Sequence, residues 1–347
     1  MNSCNGKNIL SRFAVHKPVY KGNSSSQKYY VEAFDGSKYF LIIDNVSRYT
    51  RMEAVFKMMK KAEAAGIPMG EPVELGRTQR SNGEHEAYMI LNYIDGDDLI
   101  SLLPSLSINE QYFIGVKAGE ILRKIHAIPS SPNTDNAYFA RLTYNMEETI
   151  ENLRRFRKKI NYFDIEKAIL FYNKHKDLIT NGPQCFLHGD YGIHNLIYGK
   201  GELKIVDFEI SEFGIPWYDF FLITYNSKLS SNFATGQLYG YFSGPPAPEM
   251  YTLIALYASI ALLRKINKTI SDEKLLKNFL EMLSIMLPWI DNIQKSVSVL
   301  SFESTQLRQE RDNLIMELNN LYNSKSWRIT KPLRKLATFG KKCFVEQ

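Results

Sequence analysis

Paired cysteines are absent from this chain of 347 residues. Its three cysteines, Cys4, Cys185 and Cys343, stand far apart with no CxxC pair. That excludes a disulfide framework and a cysteine-rich zinc site, and points to a reducing, cytoplasmic compartment. Long apolar runs are absent too. The most apolar stretch, Leu253 to Leu263, has 11 residues, against the roughly 20 that a membrane span requires. The first residues, MNSCNGKNILSRF, hold no run of signal-peptide length. Neither a transmembrane protein nor a visibly secreted one is expected. Acidic residues are missing from segment 325–342, where Lys325, Arg328, Lys331, Arg334, Lys335, Lys341 and Lys342 have no counter-charge. With those seven set aside, 36 basic residues face 37 acidic ones, so the net charge of +6 belongs to the tail. No basic groove for nucleic acid is expected in the body.

What is present is ordinary globular material. Apolar residues make up 44%, charged residues 23% and aromatics 13%, enough to bury a core and far from the composition of a disordered chain. KYYVEAF and KYFLII alternate like strands around Asp35-Gly36, a hairpin signal. Thr50 and Glu53 have capping-box spacing, so a helix is predicted from Thr50 to Gly66 and Pro68. Glu86 to Ile94 has the character of a buried strand, broken by Asp95-Gly96-Asp97-Asp98. Ser107 and Glu110 give a second capping box, opening a helical pattern that runs to Pro129. Helical spacing returns over 146–180, Met250 to Ile266 and Glu273 to Leu287. Leu300, Leu307, Leu314 and Leu321 recur every seven residues, the spacing of a short amphipathic or coiled-coil helix.

The chemistry sits in two loops. His188-Gly189-Asp190 is followed by Asn195, and twelve residues further on comes Asp207-Phe208-Glu209 behind the apolar Ile205-Val206. HGDxxxxN followed by IVDFE resembles the phosphate-transfer core of the aminoglycoside phosphotransferase and choline kinase-like family. That core is similar to protein kinases with their HRDxxxxN and DFG elements. The likeness spans about residues 15–290 and implies an α+β, bilobal protein-kinase-like fold. In it, an N-terminal antiparallel sheet with one helix (1–91) would bind nucleotide, and a helical lobe (92–290) would carry the catalytic loops. The expected activity is transfer of the terminal phosphate of ATP or GTP, with Mg²⁺, to a hydroxyl of an aminoglycoside-like, sugar or envelope-glycan acceptor.

Phosphoryl transfer needs a carboxylate to orient the hydroxyl and take its proton, and hard oxygen ligands for magnesium. Asp190 is the candidate base and Asn195 and Asp207 the candidate Mg²⁺ ligands. His188 joins the catalytic loop, with loop support the favoured role over proton transfer. Phe213-Gly214-Ile215-Pro216-Trp217-Tyr218-Asp219 is similar to the family's GDPxxD segment with Ile215 in place of Asp, so the resemblance makes Asp219 a loop-bracing residue. NYIDGDDL is similar to the family's hinge, which implies nucleotide-base contacts at Leu91, Asn92, Tyr93 and Ile94.

One departure stands out. The family's phosphate-gripping lysine on the third strand aligns with Ile42. Lys28 or Lys38 could reach the phosphates instead, or Ser24, Ser25 and Ser26 could hold them in the flexible loop with backbone N–H groups. Glu53 is the candidate partner for such a lysine, although its place in the capping box already accounts for it. The missing lysine also leaves open a catalytically silent kinase-like scaffold.

The third segment, 291–347, combines the heptad helix with a tail whose SWRxTxPLR string resembles that of bacterial glycosyltransferases and polysaccharide-assembly proteins. Its cations interleave with Trp327, Ile329, Leu333, Leu336 and Phe339. The expectation there is a peripheral contact with the inner face of the membrane or with a polysaccharide-assembly partner, and a dimer through the heptads.

Overall fold

The computed structural model describes residues 8–20, 26–80, 83–130, 146–158, 162–179 and 182–288. The chain divides into two units, Met1–Ile293 and Gln294–Gln347, and the second lies outside the described residues. The heptad helix, the basic tail and the membrane, glycan-assembly and dimer roles expected of them therefore fall outside as well.

The first unit opens with a five-stranded antiparallel sheet in the order β1-β2-β3-β5-β4. Its strands are β1 (Val15–Pro18), β2 (Gln27–Glu32), β3 (Lys38–Asn45), β4 (Pro72–Gln79) and β5 (His85–Asn92). The β2–β3 hairpin turns at Asp35-Gly36, where the Asp35 carboxylate accepts from the Ser37 N–H at 2.9 Å and Gly36 takes φ +83°. Strand alternation sends Val31, Leu41, Ile43, Tyr88 and Ile90 to one face, where they pack with Ile9 and Phe13. In the antiparallel register Lys28 stands opposite Ile42, and Ile42 opposite Met89.

Helix α1 (Tyr49–Ala64) buries Met52, Val55, Met59 and Ala62. Its expected capping box does not form. A 3₁₀ turn, Val46–Arg48, capped by the Asn45 side chain, runs straight into the helix. Thr50 is thereby inside the helix instead of at the extended cap position, and Glu53 turns outward to Lys57 at 3.3 Å. At the other end Gly66, at φ +70°, follows the last turn.

After β5, Asp97–Asp98 forms a two-residue strand, β6, rather than only a break, and leads through the short α2 (Leu99–Leu102) to α3 (Ile108–His126). Both halves of the Ser107–Glu110 capping box are in place there. Helices α4 (146–155) and α5 (Tyr162–His175) follow. Then come β7 (Cys185–Leu187), the β8–β9 hairpin (Leu196–Gly199, Glu202–Ile205), β10 (Glu212–Gly214) and a 3₁₀ helix, Pro216–Leu222. Helices α6 (Ile223–Leu229), α7 (Ser231–Phe242), α8 (Pro248–Lys268) and α9 (273–288) complete the unit.

Every residue from Ile254 to Leu263 is buried. The longest apolar run of the chain is thus a central helix of a protein core, packed with Ile165, Ile169, Phe221, Leu283 and Met286. Among the described residues, no helix is long and apolar enough to cross a membrane.

Helices α3 and α7 pack backbone against backbone. A methyl group added at Gly119 would run into the Gln237 carbonyl oxygen, and one at Gly240 into that of Val116. Because backbone blocks the way on both sides, rotamer changes cannot relieve the clash. Gly119→Ala is expected to lower unfolding stability by about 1–3 kcal/mol or more, the cost of overpacking a tight contact. Urea unfolding against Gly201→Ala distinguishes this from the strain of replacing glycine, since Gly201 is left-handed (φ +79°) but has open space around it.

Candidate active site

Strand β7 leads directly into His188, and β10 runs antiparallel beside the strand with Phe213 opposite Phe186. The loop that follows is held by one carboxylate. Asp219, buried in the 3₁₀ helix, accepts the His188 N–H at 2.8 Å and the Gly189 N–H at 2.7 Å. His126 Nε2 of α3 lies 3.0 Å from the same carboxylate, with its Nδ1 2.8 Å from the Tyr241 hydroxyl of α7. An acid buried this deeply is tolerated only with several donors around it. Gly189 takes φ +84°, and a Cβ there would sit 2.7 Å from the Ile210 carbonyl oxygen, so the loop needs glycine. Ile215, where the family segment has an acid, is buried in the helical core. Its replacement leaves the bracing by Asp219 intact.

His188 is fully buried and has both ring nitrogens engaged. Nε2 lies 3.1 Å from the Val206 carbonyl, which can only accept, so Nε2 carries the proton; Nδ1 then accepts the Asp190 N–H at 3.2 Å. Burial pushes its pKa down, against the pull of Asp219 and Asp190. These contacts make His188 a structural tie between the two loops, not a group poised at a reacting atom.

Asp190 faces the open side. One carboxylate oxygen lies 3.1 Å from His194 Nε2 and accepts from Asn195 Nδ2 at 3.0 Å. Burial alone would raise this carboxyl, but the His194 hydrogen bond and charge, with Lys265 and His188, outweigh it and hold the pKa below the ordinary aspartate value. Asn195 also donates Nδ2 to the Asp190 carbonyl at 2.9 Å, which leaves its Oδ1 without a partner among the described residues. Asp207 follows β9 in the left-handed region, φ +67°, a conformation costing roughly 1–2 kcal/mol. Its carboxylate lies 3.6 Å from Lys28 Nζ. The Asn195 Oδ1 and the Asp207 carboxylate are the hard oxygen donors that magnesium takes, with positions left for phosphate and water, so these residues fit the ion. No cluster of three His, Cys, Asp or Glu that could hold a metal by itself is found among the described residues.

Of the two candidate lysines, Lys28 is the one brought to Asp207. Lys28 and Ile42 are directly opposed on neighbouring strands, so Lys28 carries an ammonium on β2 level with position 42 of β3, on a side chain only 13% exposed. Lys38 lies at the far end of the hairpin opposite Glu32 and is not brought to Asp207. Glu53, paired with Lys57, does not partner Lys28. The tie between α1 and the metal loop is made by arginines: Arg48 reaches Glu209 at 2.7 Å and Asp44 at 3.2 Å, and Arg51 donates to the Glu209 carbonyl at 2.7 Å. Ser26 donates to Asp44 at 2.6 Å, so its hydroxyl is engaged by the sheet; Ser24 and Ser25 lie outside the described residues.

In the hinge, the backbone N–H groups of two residues expected to contact the base are engaged within the fold. The Asn92 N–H goes to the Glu71 carbonyl (2.9 Å) and the Tyr93 N–H to that of Lys38 (3.2 Å). Leu91 belongs to β5, and the Tyr93 ring stands edge-on to Tyr30 at 4.9 Å. Ile94 is buried, and its N–H has no partner among the described residues. A cavity of about 440 Å³ between α3 and β9 contains none of these groups.

His194, Arg48 and Lys265 escaped sequence reasoning. His194 is one of the unspecified positions of HGDxxxxN, and the pairing of Arg48 with Glu209 spans 161 positions.

A family model for the phosphotransferase enzyme family matches residues 17–251. No curated protein matches the chain. Among solved structures, aminoglycoside phosphotransferase APH(4)-Ia superposes with TM-score 0.60 at 12% identity, over 80% of this chain and 95% of that one. Spectinomycin phosphotransferase APH(9)-Ia with ADP and spectinomycin gives 0.55 at 15%, over 80% and 89%. A choline/ethanolamine kinase family protein from Mesorhizobium loti gives 0.54 at 17%, over 79% and 89%. At these identities the likeness is one of fold.

Asp219→Ala orphans the two buried N–H donors of His188 and Gly189, at about 1–3 kcal/mol each. Urea unfolding is expected to show a loss of about 3 kcal/mol, and hydrogen exchange a selective loss of protection at those two amides. Unchanged exchange there would remove Asp219 from the role of loop brace.

Proposed function

The chain belongs to the phosphotransferase enzyme family, and from the arrangement of its own side chains we propose that it transfers the terminal phosphate of ATP or GTP to a hydroxyl group of a small molecule. The observation that carries this reading is the convergence of two pairs, Asp190 with Asn195 at 3.0 Å and Lys28 with Asp207 at 3.6 Å, whose loops are joined by the Val206 N–H donating to the Asn195 carbonyl at 3.0 Å.

Each has a distinct task. Asp190, kept ionised, holds the acceptor hydroxyl in line and takes its proton as the oxygen bonds to phosphorus. The bond from phosphorus to the leaving diphosphate breaks, and the nucleoside diphosphate departs. Asn195 Oδ1 and the Asp207 carboxylate would hold Mg²⁺, which when bound neutralises charge spread over the phosphate oxygens. The Asn195 amide also fixes the Asp190 carboxylate, since its two Nδ2 contacts leave the amide one orientation. Lys28 adds a cation on the phosphate side, and the Ile94 N–H is the open donor for the nucleotide base. The Arg48 and Arg51 contacts to Glu209 keep α1 against the loop that carries Asp207.

Against the silent-scaffold reading, which rested on Ile42, stands Lys28, directly opposite Ile42 and 3.6 Å from Asp207. A strongly cationic acceptor such as an aminoglycoside is poorly served here. Of the three acids near the core, Glu209 is engaged by Arg48, Asp219 is buried under the loop, and Glu212 belongs to strand β10.

Mg²⁺-dependent ATP and GTP consumption against aminoglycosides, sugars, sugar acids and choline-like alcohols tests the proposal. Asp190→Ala is expected to lower turnover by about 10²–10⁴-fold while nucleotide binding persists. Lys28→Met is expected to raise the nucleotide KM at least tenfold, and combining Lys28→Ile with Ile42→Lys to recover much of the loss. An Asp190→Ala protein as active as the wild type would overturn the assignment of the base.

A further inference from the structure

The catalytic loop holds a 3₁₀ turn, Ile193–Asn195, that follows Gly192 and carries His194. Three contacts set the place of this histidine. The buried Asn226 of α6 accepts the Ile193 N–H at 3.2 Å and donates Nδ2 to Gln237 of α7 at 3.0 Å, which holds the turn against the helical core. The His194 ring stands edge-on to Tyr225 of α6, with centroids 6.3 Å apart. Gly192 leaves the ring its room. A Cβ there would lie 2.5 Å from His194 Cε1 and 2.7 Å from Nδ1, and the next neighbour, Leu222 Cδ1 at 3.0 Å, is the end of a flexible side chain. Gly192 has φ −120°, which any residue adopts, so it is the ring and not the backbone that requires glycine.

Held in this way, the ring turns back over its own loop. His194 Nε2 lies 3.1 Å from Asp190 Oδ2. A carboxylate oxygen only accepts, so Nε2 is the donor. Asn195 Nδ2 donates to the same Oδ2 at 3.0 Å. Both hydrogen bonds therefore fall on one oxygen, and Oδ1 accepts none among the described residues. The terminal torsion of an aspartate is broad and two-fold. Two donors arriving at one oxygen fix the plane of the carboxylate and decide which oxygen is presented outward. That side chain keeps 32% of its surface exposed, so the free oxygen is open to an incoming hydroxyl.

We propose that His194 is a positioning residue for the transfer. Its Nε2–H, together with Asn195, holds Asp190 Oδ2, so that Oδ1 is the oxygen that takes the proton of the acceptor hydroxyl while that hydroxyl's oxygen bonds to phosphorus and the bond to the leaving diphosphate breaks. This rests on the reading of Asp190 as the base and names the oxygen that acts. Gly192 serves the same end by leaving the ring in place.

The bland reading makes His194 a packing residue of the turn, set against Tyr225. Mg²⁺-dependent hydrolysis of ATP or GTP by the full chain, with water as the acceptor, tells the two apart. His194→Ala is expected to lower kcat about tenfold or more with the nucleotide KM unchanged. His194→Gln, whose amide Nε2 can donate from a similar reach, is expected to stay within about threefold of the wild type. Gly192→Ala, which displaces the ring, is expected to lower kcat as His194→Ala does, and to add less than about twofold when the two are combined. A packing role predicts neither the rescue by glutamine nor the non-additivity. Should His194→Ala not fold, His194→Phe, which keeps a ring without the donor, takes its place. The proposal is overturned if the variant without the donor keeps the wild-type kcat, if His194→Gln is as slow as that variant, or if the Gly192→Ala loss multiplies in full onto it. Asp190→Ala, run alongside, separates the causes. Hydrolysis lost in Asp190→Ala and kept in His194→Ala removes the positioning role alone, whereas hydrolysis that survives Asp190→Ala, or is missing from the wild type, removes the base reading and this proposal with it.

Discussion

The buried carboxylate of Asp219 is the contact on which the site depends. It gathers two successive backbone N–H groups and an imidazole from α3, and so converts a glycine-containing loop into a rigid support. The loop then delivers the rest in order. His188 reaches across to the Val206 carbonyl and registers the first loop against the second, and Asp190 and Asn195 are locked to each other. Asp207 emerges one residue after Val206. A single unmet donor under this loop would free several groups whose chemistry depends on tenths of an ångström.

On the proposed phosphate side, the cation stands on β2 and not on β3. Direct cross-strand partners in an antiparallel sheet point to the same face, so Lys28 opposite Ile42 presents its ammonium where a lysine at position 42 would. Helix α1 is held to the loop that carries Asp207 by arginines on the helix side and Glu209 on the loop. On the proposed reading, the ammonium of Lys28 is why Ile42 does not by itself imply a silent site.

Local signals in the sequence carried the local structure. Asp35-Gly36 sits at a left-handed turn and Ser107 with Glu110 closes a capping box, because both motifs act within four residues. The identical spacing at Thr50 and Glu53 failed because a preceding 3₁₀ turn moved the helix start, which spacing alone does not report. The kinase-like fold was legible from HGDxxxxN and IVDFE because backbone geometry requires their glycine and buried histidine. The choice between Lys28 and Lys38 was not, since strand register decides it. The engagement of the Asn92 and Tyr93 N–H groups by Glu71 and Lys38 was not legible either, because those partners lie far away in sequence. His194 was invisible because its meaning lies in what stands beside it in space.

The account stands on Asp207 and Asn195 as the oxygen donors through which a metal joins the nucleotide to the protein. Titration of ADP into the wild type and Asp207→Ala, with and without Mg²⁺, addresses that directly. The account predicts that Mg²⁺ tightens ADP binding by tenfold or more in the wild type, and that Asp207→Ala removes the gain while metal-free binding stays the same. Binding of ADP that is indifferent to Mg²⁺, or a gain that survives in Asp207→Ala, would contradict it.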